Sequence, residues 1–84
     1  MINKLYSVYI VECNDKTFYT GITNNVNKRI IEHNNSNRGA KYTKTRRPVS
    51  LKYMILCNSK SEALKLEYKI KRLSHKDKEK LWML

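Results

Sequence analysis

The chain predicts an α+β fold: a small three-stranded antiparallel sheet flanked by helices, in the order ββαβαα. Three observations lead there. Two apolar runs near the N-terminus are separated by a polar turn, the pattern of a β-hairpin. A third apolar run, Val49 to Cys57, comes only after a long polar and basic stretch. The segments between and after these runs repeat their apolar residues at helical spacing.

The first strand is expected over Leu5 to Cys13. Tyr6, Val8 and Ile10 would face one way, and Leu5, Ser7, Tyr9 and Val11 the other. Both sets contain apolar residues, so the strand should be central and covered on both sides. Asn14-Asp15-Lys16 supplies turn chemistry. The second strand, Thr17 to Ile22, contains Gly21, which marks a bulge or a close backbone approach. Thr23 or Asn24 suits the N-cap of a helix from about Asn25 to Asn34, with Val26, Ile30 and His33 on one face. Arg29 and His33 are stacked neighbours at i,i+4. A short helical turn is expected around Ala40 to Thr43, and Pro48 ends that stretch. In the third strand Val49, Leu51, Tyr53, Ile55 and Cys57 should share one face, with Met54 and Leu56 on the other. Ser59 and Glu62 form a capping box for a helix to about Leu73, buried along Ala63, Leu66, Ile70 and Leu73. Ser74 begins a last short helix, whose Leu81, Trp82 and Leu84 should pack back on the body.

Eighty-four residues make a single domain, 1–84, that buries only about 60–65% of its unfolded surface. No apolar run approaches the roughly 20 residues of a membrane span, and no leader-like segment opens the chain, so a cytoplasmic protein with no membrane role is expected. The net charge of +11 calls for an anionic partner, most simply nucleic acid. Five of the cations, Arg38, Lys41, Lys44, Arg46 and Arg47, fall in one segment with Tyr42 and no acidic residue. Cys13 and Cys57 each end an apolar run and belong to no metal-ligand cluster.

Candidate chemistry starts with Tyr9 and Tyr19, which a hairpin can bring to within about 5 Å of each other when directly opposite. Both could equally be sheet packing, as suits Tyr6 and Tyr53. Arg29 has the planar fork that grips phosphate oxygens. His33, one turn on, could donate to phosphate, relay a proton or serve structure alone. Glu67 falls about 60–80° from the centre of its helix's buried stripe, at 100° per residue. A carboxylate there is either paired with one of the many lysines and arginines or serves as the single protein ligand of a cation such as Mg²⁺.

Together these residues resemble the GIY-YIG nuclease family. Its first motif stands here as Ser7-Val8-Tyr9 and its second as Tyr19-Thr20-Gly21. Arg29, His33 and Glu67 follow in the family's order. Gly39-Ala40-Lys41-Tyr42-Thr43 and Arg46-Arg47-Pro48-Val49 are similar to the small single-domain UPF0213 branch, related to the Slx-type structure-specific endonucleases. The resemblance covers about Leu5 to Leu81. It implies that Tyr9 acts as general base or orients the attacking water, and that Tyr19 assists and positions phosphate. By the same likeness Arg29 stabilises the transition state, Glu67 anchors Mg²⁺ or Mn²⁺, and His33 lies near the scissile phosphate. Val8 and Gly21 would be structural motif residues, with Arg38, Lys41, Tyr42, Lys44, Arg46 and Arg47 contacting DNA. The chain departs from the pattern at Ser7, where a Gly is usual. It departs again at Glu79, where many members carry an Asn about a dozen residues past the acidic one. The implied activity is metal-dependent hydrolysis of DNA, structure-selective and serving repair or recombination, with a protein partner supplying target choice. The rival reading from charge alone is a non-catalytic nucleic-acid-binding module, for DNA or RNA.

Overall fold

A computed structural model describes residues 5–83 of the protein. The described elements are β1 (Tyr6–Glu12), β2 (Phe18–Thr23), α1 (Val26–Asn35), α2 (Lys41–Lys44), β3 (Ser50–Cys57), α3 (Lys60–Lys71) and α4 (His75–Glu79). The expected α+β class and ββαβαα order hold, and the short helical turn expected around Ala40 to Thr43 is present as α2. The sheet order is β2-β1-β3, antiparallel throughout, so β1 is the central strand.

Alternation along β1 divides the core in two. Val8 and Ile10 pack with Ala63 and Ile70 of α3, joined by Phe18, Ile22, Tyr53, Cys57, Leu66 and Trp82. Tyr9, Val11 and Cys13 point to the opposite face, where Val49, Tyr19 and Ile30 of α1 join them. Burial on both faces is why β1 reads as an almost unbroken apolar run. The last helix is anchored by stacking of His75 on Phe18, centroids 4.1 Å apart, and by Trp82 set edge-on to the same ring at 5.1 Å. Leu84 lies outside the described residues.

Three local expectations are corrected. The N-cap of α1 is Asn25, whose side chain accepts from the Lys28 amide, while Thr23 Oγ1 accepts from the Asn25 amide. The cap therefore sits one or two residues later than its two polar candidates suggested. In α3, Ser59 Oγ accepts from the Glu62 amide as a capping box requires. Glu62, however, accepts from the amide of Asn58 rather than that of the cap itself.

The third correction concerns β3. Val11 pairs with Leu51 and the adjacent Ile10 pairs with Tyr53, leaving Lys52 as the extra residue of a bulge. Val49 and Leu51 are thereby turned to the Tyr9 face, while Tyr53, Ile55 and Cys57 stay with Val8 and Ile10. One inserted residue flips every side chain beyond it. As an edge strand, β3 leaves Met54 and Leu56 exposed.

Candidate active site

The site grows from Tyr9. In the β1–β2 ladder Tyr9 lies opposite Gly21. A Cβ on Gly21 would fall 2.6 Å from the phenolic oxygen and 2.8 Å from Cζ. The glycine expected to mark a bulge or a close approach is therefore a close approach. With no side chain there, the phenol lies flat across the edge strand and reaches His33 of α1, Oη to Nε2, at 2.7 Å. Tyr19, two residues from Gly21, stands beside both rings, 6.4 Å from Tyr9 and 5.3 Å from His33 between centroids.

Both members of the Tyr9–His33 pair are buried. Burial pushes the Tyr9 phenol up to about 12, with the Arg29 guanidinium beside it working in the opposite direction. Burial also pulls the His33 imidazole down to about 4, and the positive charge of Arg29 adds to that. At neutral pH the pair is a protonated phenol against a neutral imidazole. On its other side, His33 Nδ1 lies 2.8 Å from Thr43 Oγ1.

Arg29 is held in place rather than free. Its Nη1 donates to Glu32 Oε1 at 3.0 Å and to the Arg38 carbonyl at 2.7 Å. Glu67 arrives from α3, on the far face of the sheet. Its side chain is 17% exposed, and its Oε2 lies 3.3 Å from Lys71 Nζ. Its negative charge also reaches Tyr9, adding to the rise of the phenol. The structure thus brings Tyr9, Tyr19, Arg29 and His33 together, with Glu67 within electrostatic range and engaged with a lysine.

The family of GIY-YIG catalytic domains matches residues 5–80. The chain belongs to the GIY-YIG family. Its curated relatives include UPF0213 proteins. One from Desulfotalea psychrophila is 60% identical over 67 residues, 80% of this chain and 61% of that protein, so this chain spans less than two thirds of it. One from Halobacterium salinarum is 49% identical over 93% of this chain and the whole of that protein. The solution structure of a UPF0213 protein from Bacillus halodurans superposes with a TM-score of 0.58 at 45% identity, covering 92% of this chain and 81% of that one. The solution structure of an E. faecalis protein gives a TM-score of 0.64 at 38% identity, covering 96% and 86%.

Within this GIY-YIG domain the basic segment divides by role. Arg47 turns its guanidinium inward. Nε donates to the His33 carbonyl, and Nη2 to those of Ser36 and Glu32. It serves as a clamp on the C-terminus of α1, where carbonyls lack partners. Sequence placed it among the DNA contacts; three of its five N–H donors are engaged by backbone carbonyls. Arg46 is similarly engaged, with Nε 3.0 Å from Asp15 and the guanidinium 3.9 Å above the Tyr42 ring. Tyr42 in turn stacks on Tyr19 at 6.1 Å, extending the aromatic wall of the site outward. Arg38, Lys41 and Lys44 are exposed and form no ion pair among the described residues. Val8 lies on the opposite face from Tyr9, in the core. Glu79 lies 3.6 Å from His75 within α4.

Sequence reading passed over two residues. Thr43 is the only buried member of α2, hidden among lysines and arginines that read as one charged run. Asn34 read only as the end of a predicted helix. Its side chain instead pairs with both backbone groups of Val49, donating to the carbonyl at 3.1 Å and accepting from the amide at 2.7 Å.

Proposed function

We propose that this domain is a divalent-metal-dependent endonuclease that hydrolyses DNA phosphodiester bonds, selecting structure rather than sequence. The observation that carries the reading is the Tyr9–His33 pair, 2.7 Å apart, buried, and flanked by Arg29. A phenol near 12 cannot take a proton from water unless it passes its own to a neighbour. Neutral His33 is that neighbour. Water attacks phosphorus as the P–O bond to the leaving oxygen breaks; the water's proton moves to Tyr9 Oη, and the Tyr9 proton moves to His33 Nε2. An incoming phosphodiester anion offsets the Arg29 charge that helps hold His33 low. The substrate thus makes the imidazole a better acceptor as it binds. Arg29, pre-positioned by Glu32 and the Arg38 carbonyl, stabilises the developing charge on the phosphate oxygens. Tyr19 borders the approach and positions the phosphate.

The residues fit a Mg²⁺ or Mn²⁺ ion of the lightly ligated kind. No cluster of three metal-ligating side chains occurs among the described residues, and Mg²⁺ is commonly held by one or two carboxylates plus water and substrate phosphate. Glu67 would hold it, displacing the half-exposed Lys71. The ion would neutralise charge on the scissile phosphate and its leaving oxygen.

Arg38, Lys41 and Lys44 suit the DNA backbone, which gives affinity without base specificity. This suits selection of structure over sequence, and the proposal extends to work in repair or recombination in the cytoplasm, with a protein partner for target choice. No described helix is long and apolar enough to cross a membrane. Incubation with branched and flap DNA in Mg²⁺, Mn²⁺ or EDTA tests the reading. Cleavage should need the metal and vanish in Glu67→Gln and Arg29→Ala while binding persists. Cleavage in EDTA, or full activity in Glu67→Gln, would refute the mechanism. Binding with no cleavage of any substrate would establish the non-catalytic module instead.

A further inference from the structure

His33 can receive the Tyr9 proton only if its Nε2 carries none, and a neutral imidazole has two tautomers. The surrounding hydrogen bonds decide between them. The Tyr9 hydroxyl has one hydrogen, and His33 Nε2 is the one acceptor within hydrogen-bond distance of it among the described residues. Arg29, beside it, can only donate. If Nε2 also carried a hydrogen, two hydrogens would face each other or the phenol would be left buried without an acceptor, which is costly. The imidazole hydrogen therefore belongs on Nδ1.

That hydrogen needs an acceptor, and Thr43 Oγ1 is 2.8 Å away. Thr43 can accept because its own hydrogen has a destination: the Ala40 carbonyl, 2.9 Å from the same oxygen. That carbonyl also takes the amides of Thr43 and Lys44, the shared pattern usual at a helical turn. One contact opposes this order. The Ala40 amide points at Nδ1 from 3.5 Å, a length at which a hydrogen bond is weak. The chain Tyr9 to His33 to Thr43 to Ala40 uses every hydrogen at 2.7 to 2.9 Å, whereas the opposing order strands the phenol hydrogen.

We propose that Thr43 is a positioning residue, which fixes His33 as the Nδ1–H tautomer and so keeps Nε2 open to the Tyr9 proton. Its catalytic consequence rests on the nuclease reading above, but its effect on the imidazole does not. The one-turn helix α2 would then exist to deliver a single hydroxyl to the back of the site. A buried acceptor that sets the tautomer of a catalytic histidine is a known route to large rate effects.

The test is long-range ¹H–¹⁵N correlation NMR on the intact protein at pH 7, with His75→Gln used to assign the two imidazoles. Wild type and Thr43→Ser should show a protonated Nδ1 and a pyridine-type Nε2 on His33. Thr43→Val keeps the shape and removes the acceptor. It should shift His33 to Nε2–H or to a mixture, and slow DNA cleavage about 10- to 100-fold, with Thr43→Ser restoring it. Binding in EDTA should be unchanged. An Nε2–H tautomer in the wild type, or an unaltered Nδ1–H tautomer in Thr43→Val, would overturn the proposal. Wild type alone decides if Thr43→Val fails to fold. If no DNA is cleaved, the nitrogen shifts still settle the role of Thr43 while the nuclease reading falls separately.

Discussion

Replacing Gly21 by alanine should disable the site while leaving the fold standing. The added Cβ would stand 2.6 Å from Tyr9 Oη and 2.8 Å from Cζ, where ordinary contact begins at 3.4 Å. The phenol must retreat by about 0.8 Å. It lies 2.7 Å from His33, so a shift of that size must lengthen, compress or misalign a bond that has no slack. Displacement of a reacting group by about 1 Å can cost roughly 100-fold in rate. Stability should fall by only about 1–3 kcal/mol, the range for overpacking and for one buried hydrogen bond lost. Gly21 does not have a positive φ, so alanine brings no backbone penalty. The assay pairs initial cleavage rates on a flap substrate in Mg²⁺ with gel-shift affinity in EDTA and a urea melt. The expected result is a rate about 100-fold lower, unchanged affinity and a cooperative transition at lower urea. A Gly21→Ala protein that cleaves at the wild-type rate would show that the Tyr9–His33 distance does not matter, and the proton path would fail with it.

Three further outcomes follow from the same geometry. His33 is held near 4, below its ordinary value of 6.5, so the unfolded chain takes up its proton first as pH falls. This contribution, roughly 3 kcal/mol, is full above pH 6.5 and is lost toward pH 4; urea midpoints should drop more between pH 7 and 4.5 for wild type than for His33→Gln, and equal slopes would contradict it. Arg47→Ala should destabilise by about 2 kcal/mol with little change in DNA affinity, and Arg47→Lys should not rescue it because an ammonium lacks the fork that reaches three carbonyls; a main effect on binding would return Arg47 to the DNA interface. Lys41→Ala and Lys44→Ala should each lower the salt dependence of binding, the slope of log K against log salt, by about 1 while leaving the melt unchanged; an unchanged slope would exclude them from the backbone contacts.

Much of the fold was legible because it rests on local rules. The near-continuous apolar run of β1 announced a strand covered on both faces, and the core is divided across it accordingly. Ser59 and Ser74 announced the starts of α3 and α4, since a cap is a contact between residues three apart. The bulge at Lys52 was not legible, because it is a property of the pairing between β1 and β3 and not of β3 alone. Residue types likewise named Tyr9, Tyr19, Arg29 and His33 as candidates. Their convergence depends on Gly21 lying directly opposite Tyr9, a matter of register across two strands.

What sequence determined by itself, then, is the set of chemical groups, the strand and helix periods and a charge of +11 that seeks an anion. Only the tertiary structure decided which of those groups are free. Arg46 and Arg47 carry the same charge as Lys41 and Lys44, yet both are bound to the protein's own acceptors. Thr43, unremarkable in a basic run, is sealed against His33. Charge and donor count belong to a residue wherever it stands. Solvation, protonation and partners belong to the place where the folded chain puts it.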